Sequence, residues 1–390
     1  MKFLPLSLIL LTFTFTCFAQ EEENDEESSS PWTFEASYLG DIASNLQGGI
    51  QKGTKFMGML NVSLGLDTEK ANLWKNGEFI IHGMNTHGGE PTADLVGDYQ
   101  TFSNIEAGPG TVMYELLYTH YFNKFSLSAG MHDLNGEFTV TDYGLTFANS
   151  SFGITPVGSG TVPVSIFPVI TLGVVARYEI SDNIKWLGAI YDGDPGDYET
   201  NKHSMQWTVN YEEGVLLVSE VQFSNSSESH PGIYRLGGMF HNGLFSNIVD
   251  GADVRFNHNW YVMADQMVMP KNDNPDQGLG LFLQVSGAPK QLNFNNFYLG
   301  FGLNYMAPFT SRPDDVIGLG IAKANISPEM NKIALPGENY TSETAIELIY
   351  KFQFGDHFAL MPEFQYIVNP GANALLDNAL VGMLRFELAY

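Results

Sequence analysis

From Trp32 to the C-terminus, apolar and polar residues alternate with a period of two over most of the chain. In the last stretch Leu380, Gly382, Leu384, Phe386, Leu388 and Tyr390 fall on one face, with Val381, Met383, Arg385, Glu387 and Ala389 on the other. The same split sets Leu348, Tyr350, Phe352 and Phe354 against Glu347, Ile349, Lys351 and Gln353, and Phe297, Leu299, Phe301, Leu303 and Tyr305 against Tyr298, Gly300, Gly302 and Asn304. It recurs where Met205, Trp207, Val209 and Tyr211 alternate with Ser204, Gln206, Thr208 and Asn210. Each of these stretches predicts a β-strand with one face out of water.

A soluble sandwich also alternates, so what matters is which face meets the core. The polar faces here carry Gly, Ser, Asn, Gln and charges, and the apolar faces gather Tyr, Phe and Trp toward strand ends. That arrangement fits a barrel with lipid outside, aromatic girdles at both interfaces and a polar lumen. No segment after Phe18 holds the roughly 18 consecutive apolar residues of a membrane helix, so a mature chain that spans a bilayer must do so as a closed barrel. The fold predicted over residues 32–390 is all-β, a transmembrane antiparallel β-barrel.

Counting segments gives about seventeen candidate strands, an odd number in a class whose bacterial members have even ones. Length over roughly 22 residues per strand and connection favours about 16 strands, then about 18, and up-and-down parity first fails between residues 232 and 343. Short turns are expected at Asn123-Lys124, Ser181-Asp182-Asn183, Glu212-Glu213-Gly214 and Gly355-Asp356, on the periplasmic side. Long connections are expected at 88–110, 133–169, 192–203, 325–343 and 367–379. Residues 131–170 are polar, aromatic and aperiodic, and read as a constriction loop folded into the lumen.

The termini and the charge add to this picture. Lys2, the apolar run Phe3 to Phe18 and Ala19 before Gln20 form a secretory signal over residues 1–19, whose removal takes away the single cysteine, Cys17. Residues 20–31 are an acidic tail, read as a solvated spacer. Against 18 Lys and Arg stand 44 Asp and Glu, and the net charge of −26 argues against nucleic acid as a partner.

A passage for solutes needs no nucleophile or cofactor, and none is expected. It needs hydrogen-bonding groups, aromatic faces and charge at its narrowest point. The loop offers Asn135, Glu137, Asp142, Tyr143, Phe147, Asn149, Ser150 and Phe152, and the alternation turns Arg177, Glu179, Arg235, His241, Glu363, Gln365, Arg385 and Glu387 inward. Asp265 lies in an otherwise apolar strand, so it is expected to face the lumen or a cation. Asp192, Asp194 and Asp197 form a weak calcium candidate in an exposed turn. The nine histidines show no zinc spacing.

Nine segments, in order along the chain, carry a family resemblance: Asp133-Leu-Asn-Gly-Glu137, Asn149-Ser-Ser-Phe-Gly153, Ser165-Ile-Phe-Pro168, Tyr191-Asp-Gly-Asp-Pro-Gly-Asp197, Val262-Met-Ala-Asp-Gln-Met-Val268, Asp276-Gln-Gly-Leu-Gly-Leu-Phe282, Arg312-Pro-Asp-Asp315, Glu338-Asn-Tyr-Thr-Ser-Glu343 and Ile367-Val-Asn-Pro-Gly371. Together they resemble the carbohydrate-selective porins of the OprB type. The resemblance implies a 16-stranded bacterial outer-membrane barrel, a monomer, through which mono- or oligosaccharides diffuse passively past inward-folded loops. It implies contact with outer-membrane lipid and lipopolysaccharide, and a C-terminal strand with Leu384, Phe386, Leu388 and Tyr390 read by the outer-membrane assembly machinery. Such porins tend to ring the eyelet with arginine, whereas this chain has five, at 177, 235, 255, 312 and 385. A more acidic constriction, favouring neutral or cationic solutes over anions, is expected.

Two other readings are a barrel hydrolase, for which His120, His132 and His241 are available, and a non-conducting structural or adhesive barrel.

Overall fold

The computed structural model describes residues 30–196, 201–205, 207–210, 212–225, 227, 229–271 and 274–390. The signal segment, nearly all of the acidic tail and Asp197 lie outside the described residues. Sixteen strands follow one another: β1 Trp32–Gln47, β2 Gly53–Asp67, β3 Gly77–Gly88, β4 Gly110–Phe122, β5 Phe125–Met131, β6 Leu172–Ser181, β7 Ile184–Asp192, β8 Val215–Asn225, β9 Gly232–Ser246, β10 Asp253–Lys271, β11 Asn274–Gly287, β12 Asn295–Met306, β13 Val316–Ile326, β14 Ser342–Phe354, β15 Phe358–Val368 and β16 Ala379–Ala389. Each pairs antiparallel with its sequence neighbours, and β16 pairs with β1 to close the barrel. Closure leaves no end strand without a neighbour on both sides. Among the described residues no helix is long and apolar enough to cross a membrane.

The outward face is the apolar one. Phe34, Phe56, Leu64, Ile81, Trp260, Phe301, Leu348, Phe364 and Leu388 are all exposed there, while their chain neighbours turn inward. Aromatic rings crowd the end where β1 starts and β16 finishes. Phe34 meets Tyr390, Trp74 meets Phe79 and Tyr118, and Phe354 meets Phe358. The short connections at 123–124, 182–183 and 355–357 lie at this same end, which by that rule faces the periplasm. The long connections at 89–109, 132–171, 193–214, 327–341 and 369–378 lie at the opposite, extracellular end.

One expected strand is absent. The described residues of 204–211 do not join the barrel but run in the β7–β8 connection, and Glu212 to Gly214 sits there rather than in a periplasmic turn. The odd strand count therefore arose upstream of residue 232. The wall nearby has an unpaired edge. With seven residues, β5 pairs with β4 only as far as Leu116, which leaves Gly110–Glu115 without a neighbour on that side. His203 fills part of the gap, its carbonyl accepting from Met113 N at 3.1 Å and its Nδ1 lying 2.7 Å from Thr111 O. Met205, Trp207 and Val209 are 57, 45 and 67 % exposed, and Thr208 is exposed too, while Ser204 is buried, so the apolar side of this stretch packs against nothing.

Candidate functional site: a loop fastened inside the barrel

The β5–β6 loop, 132–171, carries short helical turns rather than a featureless coil, and their caps are polar residues of the loop itself. Asp133 Oδ1 accepts from Asn135 N, Asn149 Oδ1 from Ser151 N and Thr155 Oγ1 from Gly158 N, at 2.9 to 3.1 Å. These bonds satisfy donors that a turn's first residues leave free. The loop crosses the lumen and reaches walls far from its own strands.

Wall carboxylates hold its backbone. Glu220 on β8 accepts from Thr139 N at 3.1 Å, Asp265 on β10 from Asp142 N and Tyr143 N at 3.0 Å each, and Glu347 on β14 from Ala148 N and Asn149 N at 2.7 and 3.0 Å. Amide side chains add to this: Gln284 and Asn304 donate to the carbonyls of Phe152 and Tyr143, and Asn257 to that of Thr161. A charged acceptor for a backbone N–H makes a stronger bond than a neutral one, and inside a protein it is costly to leave either member unpaired.

The fit is also steric. Phe147 and Phe152 pack against each other, and tilted or edge-on against Phe282 on β11, ring centroids 5.0 to 5.5 Å apart. They fit because the facing wall positions are glycine: a Cβ on Gly320 would come 2.7 Å from Phe152 Cζ, one on Gly318 2.9 Å from Phe147 Cζ, and one on Gly280 2.3 Å from Tyr143 Cζ.

The β3–β4 loop, 89–109, turns inward as well. Asp41 and Arg385 form a bidentate pair at 2.8 Å, from which Ser103 Oγ donates to Asp41 at 2.7 Å and Arg385 reaches Asn104 Oδ1 at 2.8 Å. Glu343 accepts from Tyr99 N and Gln100 N. Asn104 N donates to Ala148 O, so the two inward loops touch.

The candidate residues divide by exposure. Phe147, Asn149 and Phe152 are buried between loop and wall, and Asn135 spends its amide on Phe138 O, Thr139 Oγ1 and Gly153 O. Arg385 is buried against Asp41, with Glu363 and Gln365 on the neighbouring strand also buried. Glu387 pairs with Lys351 at 2.9 Å. His241 lies 2.7 Å from Gly193 O. Toward open lumen stand Asp142, its side chain half exposed, with Tyr143 partly exposed beside it and Arg235 bridging Asp142 to Asp265. Arg177 clasps Glu137 in two hydrogen bonds and also donates to Ser128 Oγ at 2.7 Å. Burial works to raise the Glu137 carboxyl, but the Arg177 charge and the His132 hydrogen bond outweigh it and hold it well below the usual carboxylate range. Glu179, exposed, faces Lys185 across the β6–β7 pair. Nearer the periplasm, Thr33, Glu35, Ser63, Gly65, Glu78 and Ile80 line a groove on the inner wall.

Of the five arginines, Arg177, Arg235 and Arg385 face inward, each on an acid, while Arg255 is exposed on β10 and Arg312 pairs with Asp315 in the β12–β13 turn. Asp192 and Asp194 give carboxylate oxygens to Gly193 N and Gly196 N, and among the described residues no group of three or more His, Cys, Asp or Glu side chains forms a metal-ligand set. His120 bonds Tyr118 OH, and His132 bonds Tyr191 OH and Glu137. The sequence reading did not single out Asp41, Glu220, Glu343 or Glu347. The signal was there, since each is an acid on the inward face of an alternating strand.

Comparison with known proteins agrees with this architecture. Porin B of Pseudomonas aeruginosa is 25 % identical over 92 % of this chain and 87 % of its own length. The high-pH structure of Pseudomonas putida OprB superposes with a TM-score of 0.84 at 22 % identity, covering 92 % of this chain and 94 % of that one; its low-pH structure gives 0.58 at 19 % identity, over 92 and 93 %. The profile of the carbohydrate-selective porin, OprB family matches residues 51–390. By that match, and with a closed barrel holding an inward loop, the chain belongs to the carbohydrate-selective porins of the bacterial outer membrane.

Proposed function

We propose that neutral mono- and oligosaccharides cross this barrel by passive diffusion, and that the narrowest point is the strip where Asp142, Tyr143, Arg177 and Glu179 reach the open lumen, with Arg235 and Glu137 buried beside them as their charge partners. The observation that carries the reading is that a loop fastened to the wall from Glu220 to Glu347 still leaves the Asp142 side chain half exposed. Asn135, Phe147, Asn149, Phe152 and Arg385 then hold the loop and do not touch the solute. Tyr143 offers a ring face for the apolar side of a sugar, and the carboxylates and guanidinia match its hydroxyls. Because each inward arginine is already on an acid, the strip carries little free positive charge and disfavours anions.

Residues 1–19 serve as the export signal in this reading. The outward apolar belt meets lipid and lipopolysaccharide, and the strand ending at Tyr390 is what the assembly machinery reads. The test is a planar-bilayer recording of the refolded chain with rising glucose, maltose and a size-matched anion. Channels blocked by sugar in preference to the anion support the proposal, and well-folded barrels that never conduct overturn it.

A further inference from the structure

The extracellular β3–β4 loop contains a knot of oxygens that the passage does not use. A π-helical turn, Thr92–Val96, is closed by Gly97 N donating to Thr92 O at 2.7 Å, with Gly97 in the left-handed region at φ 79°. The turn swings Asp98 back beside the Thr92 hydroxyl. Asp98 is 6 % exposed, and neither of its carboxylate oxygens has a hydrogen-bond partner; the buried Thr92 Oγ1 has none either. Glu106 comes to the same place, both its oxygens accepting from Thr92 N at 3.0 and 3.2 Å.

Beyond the Thr92 hydroxyl and the backbone N–H of Asp98 itself, which lie near it without good hydrogen-bond geometry, nothing nearby compensates the Asp98 charge. Glu343, the next carboxylate, is filled by Tyr99 N, Gln100 N and Gly371 N. Glu90 and Asp94 stand near Glu106, and Lys55, the neighbouring cation, is engaged with Asp94 at 2.9 Å. Among the described residues no Lys, Arg or His lies within ion-pair distance of Asp98, Glu106 or Glu343. A carboxylate bare of donors and shut off from water is costly, and the cost is relieved by a proton or by a cation. The available donors are carboxylate and hydroxyl oxygens in an irregular arrangement. Hard oxygen sets of that kind suit calcium, whereas magnesium demands near-octahedral geometry and keeps its waters.

We propose that Asp98, Glu106 and Thr92 Oγ1 bind one calcium ion at the extracellular end of the barrel. The ion ties the π-helical turn to the far arm of the same loop. Through Tyr99 and Gln100, whose amides sit on Glu343, it fastens the loop to β14. The competing ligand is a proton, because burial and the charges of Glu343 and Glu106 push the Asp98 carboxyl up, and burial pushes Glu106 up to about 7.

The test uses the full chain, refolded in detergent and stripped with EGTA. Calcium at millimolar concentration is expected to raise the thermal midpoint by several degrees, with magnesium giving a much smaller shift. Terbium is expected to luminesce through tyrosine excitation, Tyr99 being adjacent, and calcium to quench that signal. Asp98→Asn should lose both effects, while Asp250→Asn, in the exposed β9–β10 loop, keeps them; the acidic tail is the same in every variant and cancels. If Asp98→Asn does not refold, Glu106→Gln is read in its place and should show weakened calcium binding. A wild-type midpoint insensitive to calcium overturns the site, as does a calcium shift that survives Asp98→Asn. A midpoint that falls with rising pH equally in calcium and in EGTA also overturns it, because a proton alone then holds Asp98.

Discussion

The β5–β6 and β7–β8 loops leave the same end of the barrel and behave in opposite ways. The first has no period in its sequence, yet it is fastened across the lumen by acids on β8, β10 and β14 and by phenylalanine rings seated on glycines. The second alternates like a strand, yet among its described residues His203 makes the bonds to the β4 edge, while Met205, Trp207 and Val209 point out. Period two reports which side of a segment meets an apolar medium. Membership of the barrel needs a neighbour with matching free backbone groups, which alternation does not reveal.

The largest effect is expected from Asp265→Ala. It strips the buried Arg235 of its 2.7 Å partner and the amides of Asp142 and Tyr143 of their acceptor. Breaking one side of a buried pair costs about 3–5 kcal/mol, so denaturant unfolding in detergent should show a loss of that order, with open-channel current raised and noisier.

Glu347→Ala comes next. It orphans Ala148 N and Asn149 N, at about 1–3 kcal/mol for each unpaired donor. Gly320→Ala should fall at or below that range, at about 1–3 kcal/mol for overpacking, because its methyl must displace the Phe152 ring. Its signature is a changed conductance at an unchanged strand content by circular dichroism.

Trp207→Ser in the other loop should lie within about 0.5 kcal/mol of wild type, as exposed substitutions do, and leave sugar block unaltered. A large loss there would mean that the β7–β8 loop carries more of the wall than His203 alone. The last prediction concerns pH. Glu106 has its carboxyl raised from 4.5 to about 7, so the folded loop binds a proton more tightly than the unfolded chain does. In EGTA, stability is therefore highest below pH 4.5 and declines as pH rises through that window. Glu106→Gln should flatten the profile.

Much of this was legible in the residues. Alternation placed strands that the barrel contains at 297–305, 347–354 and 380–390 and one at 204–211 that it does not, Asn123-Lys124 and Gly355-Asp356 marked turns at the periplasmic end, and the aperiodic stretch from Met131 lies inside the barrel. The inward direction of Arg177, Arg235 and Arg385 followed from parity. What parity does not convey is depth. Phe147, Asn149 and Phe152 share a loop with Asp142, but only contact with Phe282, Gln365 and the wall glycines decides that the first three are buried and Asp142 is half open. Likewise Glu347 reads as one more lumen acid until its partners prove to be amides 198 and 199 residues away.

One measurement tests the central claim most directly. Cys17, in the expected signal segment, is the single native thiol, so a cysteine placed in the barrel can be labelled alone. Asp142→Cys and Trp207→Cys are recorded in planar bilayers while a water-soluble thiol reagent is added. The expected result is a stepwise fall in current for Asp142→Cys, slowed by glucose, and no change for Trp207→Cys. An Asp142→Cys channel that is labelled in full yet conducts as before would contradict a passage narrowed by the β5–β6 loop.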